Sequence, residues 1–471
     1  TEAAELDRIL VTGMALPEAV ELNNGVGSTY SDRDIANQPA VDRDVFARGR
    51  GPSSRFQEAP QMSAEQTPWH NDRWFTSPWN HDADVAKTWS GMPEQVFIHD
   101  VTLRDGEQQA GVMYSADDKV RIAEKLSEAG VHRIEAGLPA VSPHDEKAVK
   151  AIAEAGLDAK IYAFSRCMVP DVQKAIDCGV DGVVIEIPSS RHLIELGYRW
   201  SVERALELSV ESTRFAHENG LEVTFFPIDA TRASIEDYLN LIEAVAKDGH
   251  MDALALVDTM GVLTPHAVEK FTTFTKNRFD VPLETHFHMD YGLAVANSLI
   301  AVGTGAQTIQ TTIGGIGERA GNCPMEETVL ALLTLYNRDI GIDTTKLTEV
   351  HDFVMELSGV TQAPNRPVVG KRLFAVESGI IATWVRNVRD LEVVEAVPYD
   401  PAIVGQKGPS IVLGKGSGLD SIAEFLERSG HDPLDSDESL ALLNVVKEAA
   451  LQKRDLLDLD EFKAIVADFT A

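Results

Sequence analysis

Cysteine is scarce in this chain, positive charge is short, and long apolar runs are missing altogether. Three cysteines, Cys167, Cys178 and Cys323, stand in 471 residues at no zinc-binding or redox spacing. An odd, scattered set argues against a disulfide framework and for a reducing, cytoplasmic setting. Lys and Arg number 42 against 74 Asp and Glu, a formal net charge of −32. A field of that sign repels phosphate backbones and anionic bilayers, so neither nucleic acid nor a membrane is an expected partner. It also means that an anionic substrate needs local arginines to hold it. No run of 18 residues is apolar enough to span a bilayer. Thr1-Glu2-Ala3-Ala4-Glu5 lacks the basic flank and apolar core of a signal peptide. A Gly-rich phosphate turn after an early strand, which a doubly wound open sheet would carry, is also missing.

What is present is a globular composition, 44% hydrophobic and 25% charged, and a change of pattern near residue 94. Residues 1–93 hold repeated prolines and little sustained periodicity, with helical character expected only at 3–10 and 15–22. The aromatic set Trp69, Trp74, Phe75, Trp79 and Trp89 is unlike a disordered tail. It predicts an ordered arm that packs tryptophans on the main domain or on a partner subunit.

From Val96 short apolar runs alternate with amphipathic stretches. Strands are expected at 96–101, 133–136, 160–164, 182–187, 221–226, 253–257, 283–288 and 307–311. Helices are expected at 116–129, 143–155, 202–219, 234–247, 265–276 and 292–302. Eight strand–helix units in about 240 residues predict an α/β fold, a (β/α)8 TIM barrel over 94–340. The N-terminal extension (1–93) precedes it. An accessory subdomain over 341–425 and a C-terminal helical subdomain over 426–471 follow, with helices expected at 419–430 and 437–469.

In such a barrel the chemistry sits on the loops at the carboxyl ends of the strands, and the polar residues here cluster there. In Glu284-Thr285-His286-Phe287-His288-Met289-Asp290 the two histidines are two apart on an expected strand, so both rings face one way. Two neutral imidazoles aimed at one point make half of a divalent-metal site. Such a site usually adds a carboxylate. Asp105, at the end of the first strand, is the best candidate, and Asn322 could add a neutral oxygen. Arg104 is suited to an oxyanion.

Three runs carry a resemblance: Asp100-Val101-Thr102-Leu103-Arg104-Asp105-Gly106-Glu107-Gln108; the His-x-His with Gly292-Leu293-Ala294-Val295-Ala296-Asn297-Ser298; and Gly315-Ile316-Gly317-Glu318-Arg319-Ala320-Gly321-Asn322. Over residues 95–425 the chain resembles the metal-dependent 2-isopropylmalate, homocitrate and citramalate synthases, with HMG-CoA lyase as a more distant relative. The resemblance implies a divalent metal (Mg, Mn or Zn) on Asp105, His286 and His288, with Asn322 in or beside the shell. It gives Arg104 the enolate-like oxygen and makes Gln108, Glu135, Arg166, Thr259 and Glu318 pocket residues. It further implies condensation of acetyl-CoA, or another acyl-CoA, with a 2-oxo acid, in a homodimer. The reverse cleavage of a 3-hydroxyacyl-CoA and a catalytically silent metal-binding barrel are the alternatives.

The chain departs from that pattern where the synthases place proton transfer. Ile228 stands in place of the Glu that precedes Asp229, and Val376 and Ile381 replace two histidines of the accessory region. Met289 replaces a common Asn. Asp229, Glu377 and Tyr291 are left as the acid–base candidates. Cys323 follows Asn322 directly but aligns poorly with the catalytic Cys of the lyases.

Overall fold

A computed structural model describes residues 67–470; the helices expected at 3–10 and 15–22 lie outside them. Eight parallel strands close into a barrel. They are β1 (Phe97–Asp100), β2 (Arg133–Glu135), β3 (Lys160–Arg166), β4 (Gly182–Pro188), β5 (Glu222–Ile228), β6 (Ala253–Asp258), β7 (Leu283–Phe287) and β8 (Thr308–Thr311). Closure is made by β1, which pairs with β2 on one side and with β8 on the other in the register Phe97↔Thr308 to Asp100↔Thr311. All eight expected strands are present, so the TIM-barrel fold read from the periodicity holds.

A short helix, α1 (Ala83–Thr88), precedes the barrel. Its outer ring is α2 (Ala116–Glu128), α3 (Pro143–Ala153), α4 (Val169–Cys178), α5 (Val202–Glu218), α6 (Ile235–Asp248), α7 (Pro265–Lys276), α8 (Ala294–Gly303) and α9 (Met325–Leu335). Five of these start on a Ser or Thr whose hydroxyl accepts a first-turn N–H: Ser115, Ser142, Ser201, Ser234 and Thr264. Such a cap satisfies a donor that the helix cannot and contributes about 1 kcal/mol. Helix α4 has no such cap and was not among the expected helices. It starts from Met168 with a proline in its first turn and stops at Gly179, at φ 75°.

After α10 (Leu347–Ser358) the chain runs through β9 (Ala375–Val376), α11 (Gly379–Val388) and β10 (Ser410–Ile411). It ends in α12 (Leu419–Ser429), α13 (Ser436–Lys453) and α14 (Leu459–Thr470). One apolar core runs from Trp74 to Val404 and takes in the barrel; a second, from Leu413 to Val466, is built by the last three helices. The expectation of one helix over 437–469 is corrected: the chain breaks after α13. Arg454 turns left-handed at φ 61°, Leu457 N–H donates to Leu413 O at 2.8 Å, and Asp458 caps α14. Burying Leu457 in the second core draws it out of the helical path.

The tryptophan arm is partly as expected. Trp74 is buried and forms an isolated backbone bridge to Tyr399, while Trp89 meets Tyr336 edge-on at 5.7 Å. Trp79, by contrast, is 76% exposed. No helix among the described residues is long and apolar enough to cross a membrane.

Candidate metal and active site

The site is assembled by the turns that leave three neighbouring strands. After β1 the amides of Arg104, Asp105 and Gly106 all converge on the Val101 carbonyl at 2.9–3.1 Å. The Thr102 hydroxyl accepts from Ile313 N–H at 2.8 Å, tying this turn to the one after β8. That turn buries Arg104 and Asp105. On β7, His286 and the residue just past the strand, His288, face the same side, as their spacing requires. His288 then bridges to Asn322, and Met289 N–H donates to Gly321 O. Gly317 closes the loop: at φ 152°, a Cβ there would lie 2.2 Å from Asn322 Nδ2 and 3.0 Å from Asp105 Oδ1.

Three donor atoms meet at one point. His286 Nε2 lies 3.5 Å and His288 Nε2 4.0 Å from Asp105 Oδ2, and the two nitrogens are 3.1 Å apart. Burial pushes both histidines below their ordinary value, His286 well below it with help from the neighbouring ring. Burial opposes ionisation of Asp105, but Arg104 and the two imidazoles outweigh it and hold the carboxyl far below the usual range. Two neutral rings and one carboxylate facing each other at these distances are the donor set that a divalent cation takes. One unpartnered buried atom beside them agrees: Asn322 Oδ1 has no hydrogen-bond partner.

The backing is polar and continuous. His286 Nδ1 is 2.9 Å from Gln310 Oε1, and Gln310 Nε2 donates to Glu284 Oε2 at 3.2 Å. A Gln oxygen on Nδ1 requires the proton there and leaves Nε2 bare to face the cluster. Glu284 in turn lies 3.4 Å from His99 Nδ1 and pairs with Arg133. Burial works against its charge, yet His99 and Arg133 hold its pKa down at about 2.

Arg104 is equally fixed. Its Nε donates to Glu135, its Nη1 donates to Asp105 Oδ2 at 2.6 Å, and its guanidinium lies 4.1 Å from the Phe164 ring centroid. Its Nη2 is buried with no partner. One cationic donor therefore stands ready beside the metal cluster.

The expected site residues divide in two groups. Arg104, Asp105, Gln108, Thr259, His286, His288 and Glu318 line one cavity of about 160 Å³. Glu135 holds Arg104 next to it, and Asn322 points its Nδ2 at Asp105 Oδ1 at 2.8 Å. The others do not line it. Arg166 is half-exposed and forked onto Asp171, Tyr291 is 73% exposed, and Glu377 accepts from Gly416 N–H in the accessory region. Asp229, left-handed at φ 64°, has its carboxylate bound by Arg232, Ser190 and His192. Only its N–H reaches a cavity residue, the Thr259 hydroxyl at 2.8 Å.

Sequence reasoning missed Glu186, Phe164, Phe226 and Val257, which share the cavity with Ile228. The signal for Glu186 was there: a charged side chain inside the otherwise apolar Gly182–Pro188. Cys323 is fully buried against Thr328, and burial pushes its thiol up to about 11. It is a packed side chain, not a nucleophile.

Residues 95–354 match the HMGL-like family model. The chain belongs to the HMGL-like family. It is 41% identical over 343 residues to homocitrate synthase AksA of Methanopyrus kandleri, covering 73% of this chain and 85% of that one. It is 37% identical over 364 residues to 2-isopropylmalate synthase 2 of Caldanaerobacter subterraneus subsp. tengcongensis, covering 77% and 93%. Among solved structures, hydroxymethylglutaryl-CoA lyase from Pseudomonas aeruginosa superposes with a TM-score of 0.53 at 22% identity, covering 60% of this chain and 98% of that one. That likeness is one of fold. The first two motifs behind the resemblance lie wholly inside the HMGL-like match, as does the loop that carries Asn322.

Proposed function

We propose that this HMGL-like barrel condenses an acyl-CoA, acetyl-CoA in the simplest case, with a 2-oxo acid to give a 2-hydroxy-2-alkyl dicarboxylate. The observation that carries the reading is the meeting of Asp105, His286 and His288 beside the unpartnered Arg104 Nη2. The synthase names of its relatives support it.

Asp105, His286 and His288 would hold a divalent ion (Mg, Mn or Zn), with Asn322 orienting Asp105 through its Nδ2. When bound, that ion supplies positive charge to the carbonyl and carboxylate oxygens of the 2-oxo acid. Arg104 Nη2 donates to the oxygen on which negative charge develops, and Glu135 keeps the guanidinium from turning away. Phe164 and Phe226 flank the guanidinium and exclude water from it. Gln108 and Thr259 offer hydrogen bonds to the bound acid from the cavity wall. Of the three acid–base candidates Asp229 lies nearest the cavity: its backbone N–H donates to the Thr259 hydroxyl, while its carboxylate is held outside by Arg232, Ser190 and His192. Glu318 lines the same cavity, and Arg166, forked onto Asp171, stands outside that lining. Hydrolysis of the thioester then frees CoA.

In this reading residues 94–340 are the catalytic unit, 341–425 the accessory subdomain and 426–471 the C-terminal helical unit of a cytoplasmic homodimer. Ile380, 82% exposed, and Trp384 on α11 support contact with a second copy. The test is release of free thiol from acetyl-CoA with Mn²⁺ or Mg²⁺ and a panel of 2-oxo acids. Thiol appearing only when metal, acyl-CoA and 2-oxo acid are all present is the expected result. Acetyl-CoA forming instead from a 3-hydroxyacyl-CoA, with no condensation, overturns it.

A further inference from the structure

The geometry points to Glu186 as the residue that selects the 2-oxo acid, rejecting a second carboxylate and restricting the enzyme to monocarboxylic 2-oxo acids with a short uncharged side chain. This rests on the condensation reading for the identity of the substrate, but it is argued from the cavity's charges.

Glu186 lies on β4 opposite Phe226 of β5, and its carboxylate faces the same cavity as the metal cluster. It has no ion-pair partner among the described residues; Tyr198 Oη, at 3.3 Å, donates the bond it receives. Burial raises its pKa, with Glu318 adding to the rise, against the pull of Arg104, the Tyr198 hydroxyl and Arg166. A second anion brought alongside would either sit next to a carboxylate or force it to take a proton, and each costs binding energy.

Nor is a cation free to compensate. Arg104 is bound to Glu135 and Asp105, and its one open nitrogen stands beside the metal cluster, where the reacting end of the acid must lie. Outside the lining, Arg166 is forked onto Asp171 and Arg319 onto Asp290, while Arg232 holds Asp229. Glu318 adds a further negative group to the lining. Phe164, Phe226, Ile228 and Val257 make the remaining wall apolar. A cavity of about 160 Å³ with that wall suits a short aliphatic side chain. A distal carboxylate there would have no matching donor, and an unmatched charge at such a site is strongly disfavoured.

The test uses the full chain loaded with Mn²⁺ and measures binding of 3-methyl-2-oxobutanoate and 2-oxoglutarate by calorimetry, with thiol release followed in parallel. Wild type should bind the monocarboxylic acid at least tenfold more tightly. Glu186→Gln, nearly isosteric, should shrink that ratio severalfold by strengthening 2-oxoglutarate binding, and Glu186→Leu should do the same. A wild-type preference for 2-oxoglutarate, or a ratio unmoved by both variants, overturns the inference while leaving condensation intact if thiol is released. The expected binding ratios without thiol release from any 2-oxo acid support the role of Glu186 and overturn condensation alone. No binding of either acid to the metal-loaded protein overturns both.

Discussion

Two clusters among the described residues bring a pair of histidines and an aspartate together closely enough to share an ion, and they could hardly be set more differently. Asp105, His286 and His288 are all buried, whereas His217, His250 and Asp252 lie at the surface. In the first, two of the three ligands are backed: Gln310 behind His286, Asn322 and Arg104 behind Asp105. In the second, His250 Nε2 already bonds Asp252 Oδ1 at 3.1 Å, and the rings of His217 and His250 stack at 3.5 Å. The difference teaches that proximity of ligand types is a weak criterion. Burial, which keeps imidazoles neutral, and a backing shell that fixes their lone pairs are what make a cluster a site.

The comparison breaks most sharply on its ligands. Asp105→Ala or His288→Ala should weaken Mn²⁺ binding by more than about 100-fold, since each removes a donor from an apparent three-donor set. Titration calorimetry, or the free Mn²⁺ signal in electron paramagnetic resonance, reads this directly. Retention of wild-type affinity in either variant would mean that the ion sits elsewhere, with the surface cluster the first place to look.

Next in size is Arg104→Ala, which has no counterpart in the surface cluster. Mn²⁺ should stay bound while kcat falls about 10²–10³-fold, the usual loss for one well-placed oxyanion donor. Equal losses in metal affinity and kcat would instead make Arg104 a support for Asp105.

A smaller effect probes the backing. Gln310→Leu removes the acceptor on His286 Nδ1, frees the ring to adopt the wrong tautomer, and should cost about 10–100-fold in Mn²⁺ affinity. Gln310→Glu, which keeps an acceptor there, should recover most of it. A purely structural role for Gln310 would show as a lower Tm in both variants and no difference between them in affinity.

How much of this was legible in the sequence follows from the range of each interaction. Eight strands were readable because apolar alternation is local, and the His286–His288 pair because a strand repeats every two residues. Asp105 followed from knowing that a barrel brings its first and last strands together. The backing was not readable: Gln310 lies 24 residues from His286, and Arg133 lies 151 from Glu284, so these pairs exist only after closure sets the register. The same holds for Glu186, whose place beside Phe226 depends on the β4–β5 register. Asp229 shows the opposite error of expectation. Its motif marks it as polar at a strand end, but the left-handed turn at φ 64° directs the carboxylate to Arg232 and Ser190, away from the cavity. Between α13 and α14 an unbroken amphipathic pattern hid a break, because Leu457 pairs with Leu413, far off in sequence.

The smallest expected effect concerns the surface cluster itself. Asp252 Oδ2 accepts from Val223 N–H at 2.8 Å and its other oxygen is taken by His250, so binding an ion there means breaking bonds that already satisfy the carboxylate. Exposed side chains must also be ordered around the ion, at a cost that no buried shell offsets. His217→Ala should therefore leave Mn²⁺ stoichiometry at one per chain and its affinity within about twofold, the scale of a surface change remote from the site. A drop from two bound ions to one in that variant would show that open, self-satisfied clusters do bind, and burial would lose its place as the deciding difference between the two.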